Sequence, residues 1–114
     1  MDPIPSRFIA DDVDAVNNPN DALRFFKNKT YNLILMDILM PDVSGIELYK
    51  KFHRMDKSVG DRILIMTGDI LGKQTRTFLS RTRVAYIEKP FATEKLMTKI
   101  DEIMSRDSKQ KSWM

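Results

Sequence analysis

Three short stretches of this chain are apolar almost without a break: "YNLILMD" over residues 31–37, "RILIMT" over 62–67 and "VAYIEK" over 84–89. Continuous apolar runs of this length, bounded by polar residues, predict strands buried on both faces of a parallel sheet. The segments around them carry a helical period instead. After Ser44, Ile46, Tyr49 and Phe52 share one face with Leu48 beside them, and near the end Leu96, Ile100, Ile103 and Met104 do the same. "NPNDALRFFKN" predicts an earlier helix, capped by Asn18 or Asn20 and apolar through Ala22, Leu23, Phe25 and Phe26. A less regular helix is predicted over residues 71–81, and Ser44 and Thr93 are the candidate N-caps of the two clearer ones.

Strands alternating with helices imply an α/β fold in which right-handed crossovers place helices on both faces of a parallel sheet. Its body is expected over residues 1–106, with an irregular or strand-exchanged start over 1–12. The closing "SRDSKQKSWM" is polar apart from Trp113 and Met114, so residues 107–114 are expected to be a tail.

Composition narrows the class. The chain has 114 residues, 42% hydrophobic and 31% charged, enough for one compact domain and too few for a second. Its 19 basic and 16 acidic residues are interleaved, so the net charge of +3 describes a mixed solvated surface rather than a nucleic-acid face. Cysteine is absent, which excludes disulfides, thiolate metal sites and cysteine nucleophiles. No apolar run approaches the roughly 18 residues of a membrane span, and "MDPIPSRF" lacks the form of a signal peptide, so a cytoplasmic protein is expected.

The chemistry sits at the strand ends. In an open parallel sheet, ligands bind outside the carboxyl ends of the strands. Asp37, Thr67 and Lys89 close the three apolar runs, so the fold is expected to bring them to one place. A carboxylate can attack phosphorus, a hydroxyl can hydrogen-bond a phosphoryl oxygen, and an ammonium can neutralise phosphoryl charge. Taken singly, each has a plainer explanation. A strand-terminal Asp or Thr often caps the following loop, and a lone lysine is usually solvated. His53, the single histidine, falls on the polar side of its helix, which leaves no histidine metal cluster, and the 8 methionines suit a core.

"LILMDILMPDVSGIEL", "LIMTGD" and "YIEKPF" together resemble the three motifs of response-regulator receiver domains, in order and at the family's spacing, over about residues 13–103. The resemblance implies a flavodoxin-like (CheY-like) α/β fold. It implies that Asp37 is a phosphoacceptor, receiving a phosphoryl group from a histidine kinase or a histidine phosphotransfer protein. Thr67 would be the switch hydroxyl, Gly68 the small residue that leaves room for the phosphoryl group, and Lys89 its cationic partner, aimed by a cis Lys89-Pro90 peptide. Tyr86 would be the aromatic that reports phosphorylation. Mg2+ would be held by Asp37, the carbonyl of Leu39 and, from an acidic pair, Asp11 and Asp12. Pro41 and Gly45 would form the turn and helix start after the acceptor. "TGD" and "IEKPF" also look like receivers attached to hybrid histidine kinases. A haloacid dehalogenase-type phosphatase would need an acid two residues after its nucleophile, where Leu39 stands.

One element of such a domain has no room. "RFIADD" looks like the end of a first strand and its acidic pair, yet "VDAVNNPNDALRFF" looks like the second strand and second helix, and follows at once. Successive parallel strands need a crossover of about a dozen residues. Deletion of the first strand and helix is therefore expected, with residues 8–16 as one extended strand, placed in its own sheet beside residues 31–37, in a partner's sheet, or disordered. Mg2+ binding would then be weak or absent, and a pseudo-receiver acting through interaction and dimerisation is the alternative function. A sheet face stripped of one helix predicts an exposed apolar patch of several hundred Å², covered by a homodimer or by exchange of a strand or helix.

Overall fold

In the computed structural model the described residues are 12–38, 45–68, 72–104 and 112–113. They form β1 (Asp12–Val13), α1 (Pro19–Asn28), β2 (Ile34–Asp37), α2 (Gly45–Met55), β3 (Ile63–Thr67), α3 (Lys73–Thr82), β4 (Ala85–Glu88), α4 (Thr93–Met104) and β5 (Ser112–Trp113). A single 3-10 turn, Val59–Arg62, leads into β3. The three apolar runs are the three strands of a parallel sheet, ordered β2-β3-β4.

Alternation along the strands divides the core in two. Ile34, Met36, Ile63 and Ile65 face α1, α2 and α3, where they meet Ala22, Ile46, Phe52 and Phe78. Leu33, Leu64 and Ile87 face the other way, toward Met97, Ile100 and Ile103 of α4, with Leu35 and Met66 half-buried at the margin. Aromatic contacts lock the first layer: Phe26 stacks on Phe52 at 4.3 Å, and Tyr49 meets Phe78 edge-on at 5.0 Å. Met36, Met97 and Met104 are core residues, while His53 is exposed beside Tyr49.

The termini of the elements follow local chemistry. Asn18, not Asn20, caps α1: its side-chain oxygen accepts from the Asp21 amide at 2.9 Å, and Pro19 occupies the first turn, where no amide is needed. In α4 the amides of Lys95 and Leu96 bond to the carbonyl of Ala92, which makes Ala92 the cap and Thr93 the first helical residue. Ser44 lies outside the described residues. At the start of β3, Arg62 donates from Nε to the Tyr31 carbonyl at 2.8 Å and from its guanidinium to Asp56 at 2.7 Å. Bonds from Ser58 and the Arg62 cation together push the Asp56 carboxyl down to about 2.

The amino-terminal expectation needs correcting. Among the described residues of the segment 8–16, only Asp12–Val13 is a strand, and it pairs in parallel with Ser112–Trp113 rather than with β2. The closing segment, expected as a tail, thus contributes a short strand. From Asp14 to Val16 the chain is irregular. Asp14 accepts a short hydrogen bond from the Tyr31 hydroxyl and pairs with Lys29 at 3.3 Å, which ties this segment to the approach to β2. Among the described residues, few large apolar side chains are exposed. The exposed large apolar residues among those described, Val13, Met55 and Tyr86, are scattered. What the sheet shows instead is an apolar cavity of about 460 Å³ between residues 13–18 and β2.

Candidate functional site

Asp37 ends β2, Thr67 ends β3, and Lys89 follows β4 by one residue. Backbone bonds carry the parallel ladders past the strands: the Ile38 amide reaches the Met66 carbonyl at 3.1 Å and the Lys89 amide the Thr67 carbonyl at 2.7 Å. The three ends are therefore held in one row. Lys89 extends across it, and its ammonium forms an ion pair with the Asp37 carboxylate. Both side chains stay open to solvent, 42% and 36% exposed, so a group arriving from outside can reach the carboxylate. Thr67 is fully buried at the end of the neighbouring strand.

The surrounding residues fall into place around this row. Lys89-Pro90 is a cis peptide. Tyr86 is on β4 opposite Ile65 and is 38% exposed. Gly68 is exposed, and a Cβ built there would meet nothing within 4 Å, so the space beside the end of β3 is open. Gly45 is the opposite case. A Cβ there would lie 2.6 Å from the Asp37 carbonyl oxygen and 2.7 Å from Ile38 Cα, and its own amide donates to the Ile38 carbonyl at 2.8 Å. The sequence marks Gly45 only as part of a helix start. The structure gives it a more direct task, letting α2 press against the backbone that carries Asp37.

The expected metal ligands do not assemble among the described residues. Asp12 is in β1, in register with Ser112 and in a different sheet from Asp37. Asp11, Leu39 and Pro41 lie outside the described residues. Among the described residues, no group of three or more His, Cys, Asp or Glu side chains is arranged to hold a metal ion. Magnesium prefers six oxygen ligands in near-octahedral geometry, and of the expected donors Asp37 is the one placed at this site among the described residues. Beside it the described site offers one cation, Lys89, and open space next to Gly68. Reading along the sequence also missed the Asp14, Lys29 and Tyr31 cluster and the cavity next to it, because no local pattern announces either.

Comparison with known proteins agrees with this geometry. The family model for the response regulator receiver domain matches residues 7–101. The probable transcriptional regulator ycf29 of Porphyra purpurea is 29% identical over 96 residues, which cover 84% of this chain and 46% of that protein. The chain thus spans about half the length of that relative. A CheY-like receiver domain from Methanospirillum hungatei superposes with a TM-score of 0.59 at 30% identity, covering 78% of this chain and 73% of the other. The response regulator TrrA from Thermotoga maritima, in complex with Mg2+ and BeF, superposes at 0.63 with 28% identity, covering 79% and 75%. These similarities and the parallel sheet with flanking helices establish the flavodoxin-like α/β fold class. No helix among the described residues is long and apolar enough to cross a membrane.

Proposed function

Because the chain belongs to the response regulator receiver domain family of two-component signalling, we propose that it accepts a phosphoryl group on Asp37. The donor would be a phosphohistidine of a kinase or phosphotransfer protein, met in the cytoplasm. A carboxylate oxygen of Asp37 attacks phosphorus, the bond from phosphorus to the histidine nitrogen breaks, and an acyl phosphate forms as the imidazole leaves. Lys89 then moves its ammonium from the carboxylate to the phosphoryl oxygens, and Thr67 and Tyr86 respond to the new charge. One observation carries the reading: Asp37 is solvent-accessible, paired with Lys89, and in one row with the buried Thr67.

A second reading has its own support. Magnesium is the family's usual aid to this transfer, and in the described site the Asp37 carboxylate is paired with the Lys89 ammonium. A pseudo-receiver that acts by binding, without phosphate, is consistent with a carboxylate already neutralised by that ammonium. Self-association, as a homodimer or by exchange of a strand, belongs to both readings.

The test is uptake of phosphoryl from acetyl phosphate, followed by intact-protein mass spectrometry with and without magnesium, and of beryllofluoride followed by ligand-dependent spectral change. Phosphoacceptance predicts a gain of one phosphoryl group that Asp37→Asn abolishes. Equal behaviour of wild type and Asp37→Asn refutes it and leaves the pseudo-receiver.

A further inference from the structure

Charge that is interleaved along the sequence is sorted by the fold. The helices α2 and α3 together hold six Lys and Arg residues against a single acid, Glu47, a surplus of five, while the whole chain carries +3, so everything outside these two helices sums to −2. The two helices lie side by side, joined by the edge-on contact of Tyr49 with Phe78 at 5.0 Å. A groove runs between them from Ile46 and Lys73 to Arg54 and Thr82, and its first part is a hollow of about 500 Å³. Ile46, Tyr49 and Phe78 form its buried apolar floor. Lys50 and Arg54 stand on the α2 rim and Lys73 and Arg81 on the α3 rim, with Arg76 in the adjoining hollow. All five cations are exposed, and none forms an ion pair with a described residue.

Local stability does not account for this arrangement. Lys50 and Arg54 are four positions apart on one helix and Lys73 and Arg76 three apart on the other, spacings at which like charges repel. Lys73 also opens α3, where the positive end of the helix dipole disfavours a cation. A partner that brings negative charge relieves both costs at once.

We propose that the groove between α2 and α3 docks an acidic amphipathic helix of a partner protein. Apolar side chains at helical spacing settle on the floor, while Glu or Asp on the two flanks meet Lys50 and Arg54 on one rim and Lys73 and Arg81 on the other. The walls are helices of 11 and 10 residues, so the groove takes about three turns, roughly 15 Å. Nucleic acid fits less well. Tyr49 and Phe78 are buried and turned edge to face, so neither ring offers a surface on which bases could stack. No groove residue belongs to the row of Asp37, Thr67 and Lys89, so the proposal is independent of phosphoryl transfer and none of its readouts involves phosphate.

The probe is a helical peptide of about 14 residues, about 21 Å long, with Leu at i, i+3 and i+7 and Glu on both flanks. Its controls are the same peptide with Gln for every Glu, and a single-stranded oligodeoxynucleotide of similar length. Binding to the full chain is followed by fluorescence anisotropy at about 150 mM salt and located by amide chemical-shift changes. The acidic peptide should bind with a Kd tighter than about 1 mM, with shifts concentrated on α2 and α3. The Gln peptide should bind about tenfold more weakly, and Lys50→Glu/Arg81→Glu should lose the acidic peptide by a similar factor while melting no lower than wild type. Lys27→Glu/Lys95→Glu, an equal change of charge placed on α1 and α4, should bind as wild type does. A Kd weaker than about 1 mM, shifts centred elsewhere, tighter binding of the oligonucleotide, indifference to Gln, or equal losses in the two double variants each overturns the proposal.

Discussion

Gly45→Ala is the sharpest probe of how this sheet end is held. The added methyl carbon would stand 2.6 Å from the Asp37 carbonyl oxygen, where ordinary contact begins at 3.4 Å, a shortfall of 0.8 Å. Both near atoms are backbone, so no side chain can swing aside. Relief requires α2 to withdraw from β2, and α2 buries Ile46, Leu48, Tyr49 and Phe52. Overpacking of this kind costs about 1–3 kcal/mol. Alanine's better helix propensity returns at most about 1 kcal/mol, and less in a first turn. A net loss of about 1–2 kcal/mol corresponds to a midpoint lowered by roughly 4–8 °C at this chain length. Gly68→Ala is the control: nothing lies within 4 Å of its Cβ and no glycine described here has positive φ, so its effect should stay within about 0.5 kcal/mol. Urea and thermal melts followed by circular dichroism measure both. If Gly45→Ala melts with wild type, or no lower than Gly68→Ala, the tight α2 contact is not what holds Asp37 in place.

Two further substitutions test local features. Asp56 has its carboxyl held down near 2 by Ser58 and Arg62, so the stability it contributes is complete above its ordinary value of 3.8 and is lost as pH falls toward 2. The group is 39% exposed and screened by solvent, so the loss should be about 0.5–1 kcal/mol between about pH 4 and pH 2, and Asp56→Asn should flatten the urea midpoint across that window. A variant that loses stability in parallel with wild type removes Asp56 as the cause. Arg83 closes α3 at φ 54° with its amide bonded to the Leu79 carbonyl at 3.0 Å, a left-handed cap that glycine adopts without strain. Arg83→Gly should therefore raise stability by about 0.5–1 kcal/mol in chemical denaturation, and a lowered midpoint would contradict it.

Much of this architecture is legible because it is local. The runs ending in Asp37, Thr67 and Lys89 became β2, β3 and β4 because an uninterrupted apolar stretch of five or so residues has one stable home, a strand covered on both faces. Ranking Asn18 over Asn20 as a cap required the structure, yet both were visible as short polar residues ahead of an apolar periodicity. The pairing of β1 with β5 was not legible, since it joins residues about a hundred positions apart and two-residue strands leave no pattern. For the same reason the sequence foretold a stripped face where the structure has a cavity at an edge. Periodicity reports which face of an element is apolar, not which distant segment closes against it.

That edge position changes what the site demands of its surroundings. Thr67 is on β3, braced by ladders on both sides, whereas Asp37 is on β2, braced among the described residues by β3 alone. A strand held by one ladder opens more readily than a central one. The Asp37 carboxylate then sits on an edge strand of the described sheet, not on its central one. The contacts around β2 answer this at each end. Before the strand, Arg62 bonds the Tyr31 carbonyl and Asp14 holds the Tyr31 hydroxyl. After it, the Ile38 amide bonds Met66, the Ile38 carbonyl receives the Gly45 amide, and Lys89 pairs with Asp37 itself. Pinning both ends fixes where Asp37 points, and the buried middle of the strand, Ile34 and Met36, adds packing to those bonds.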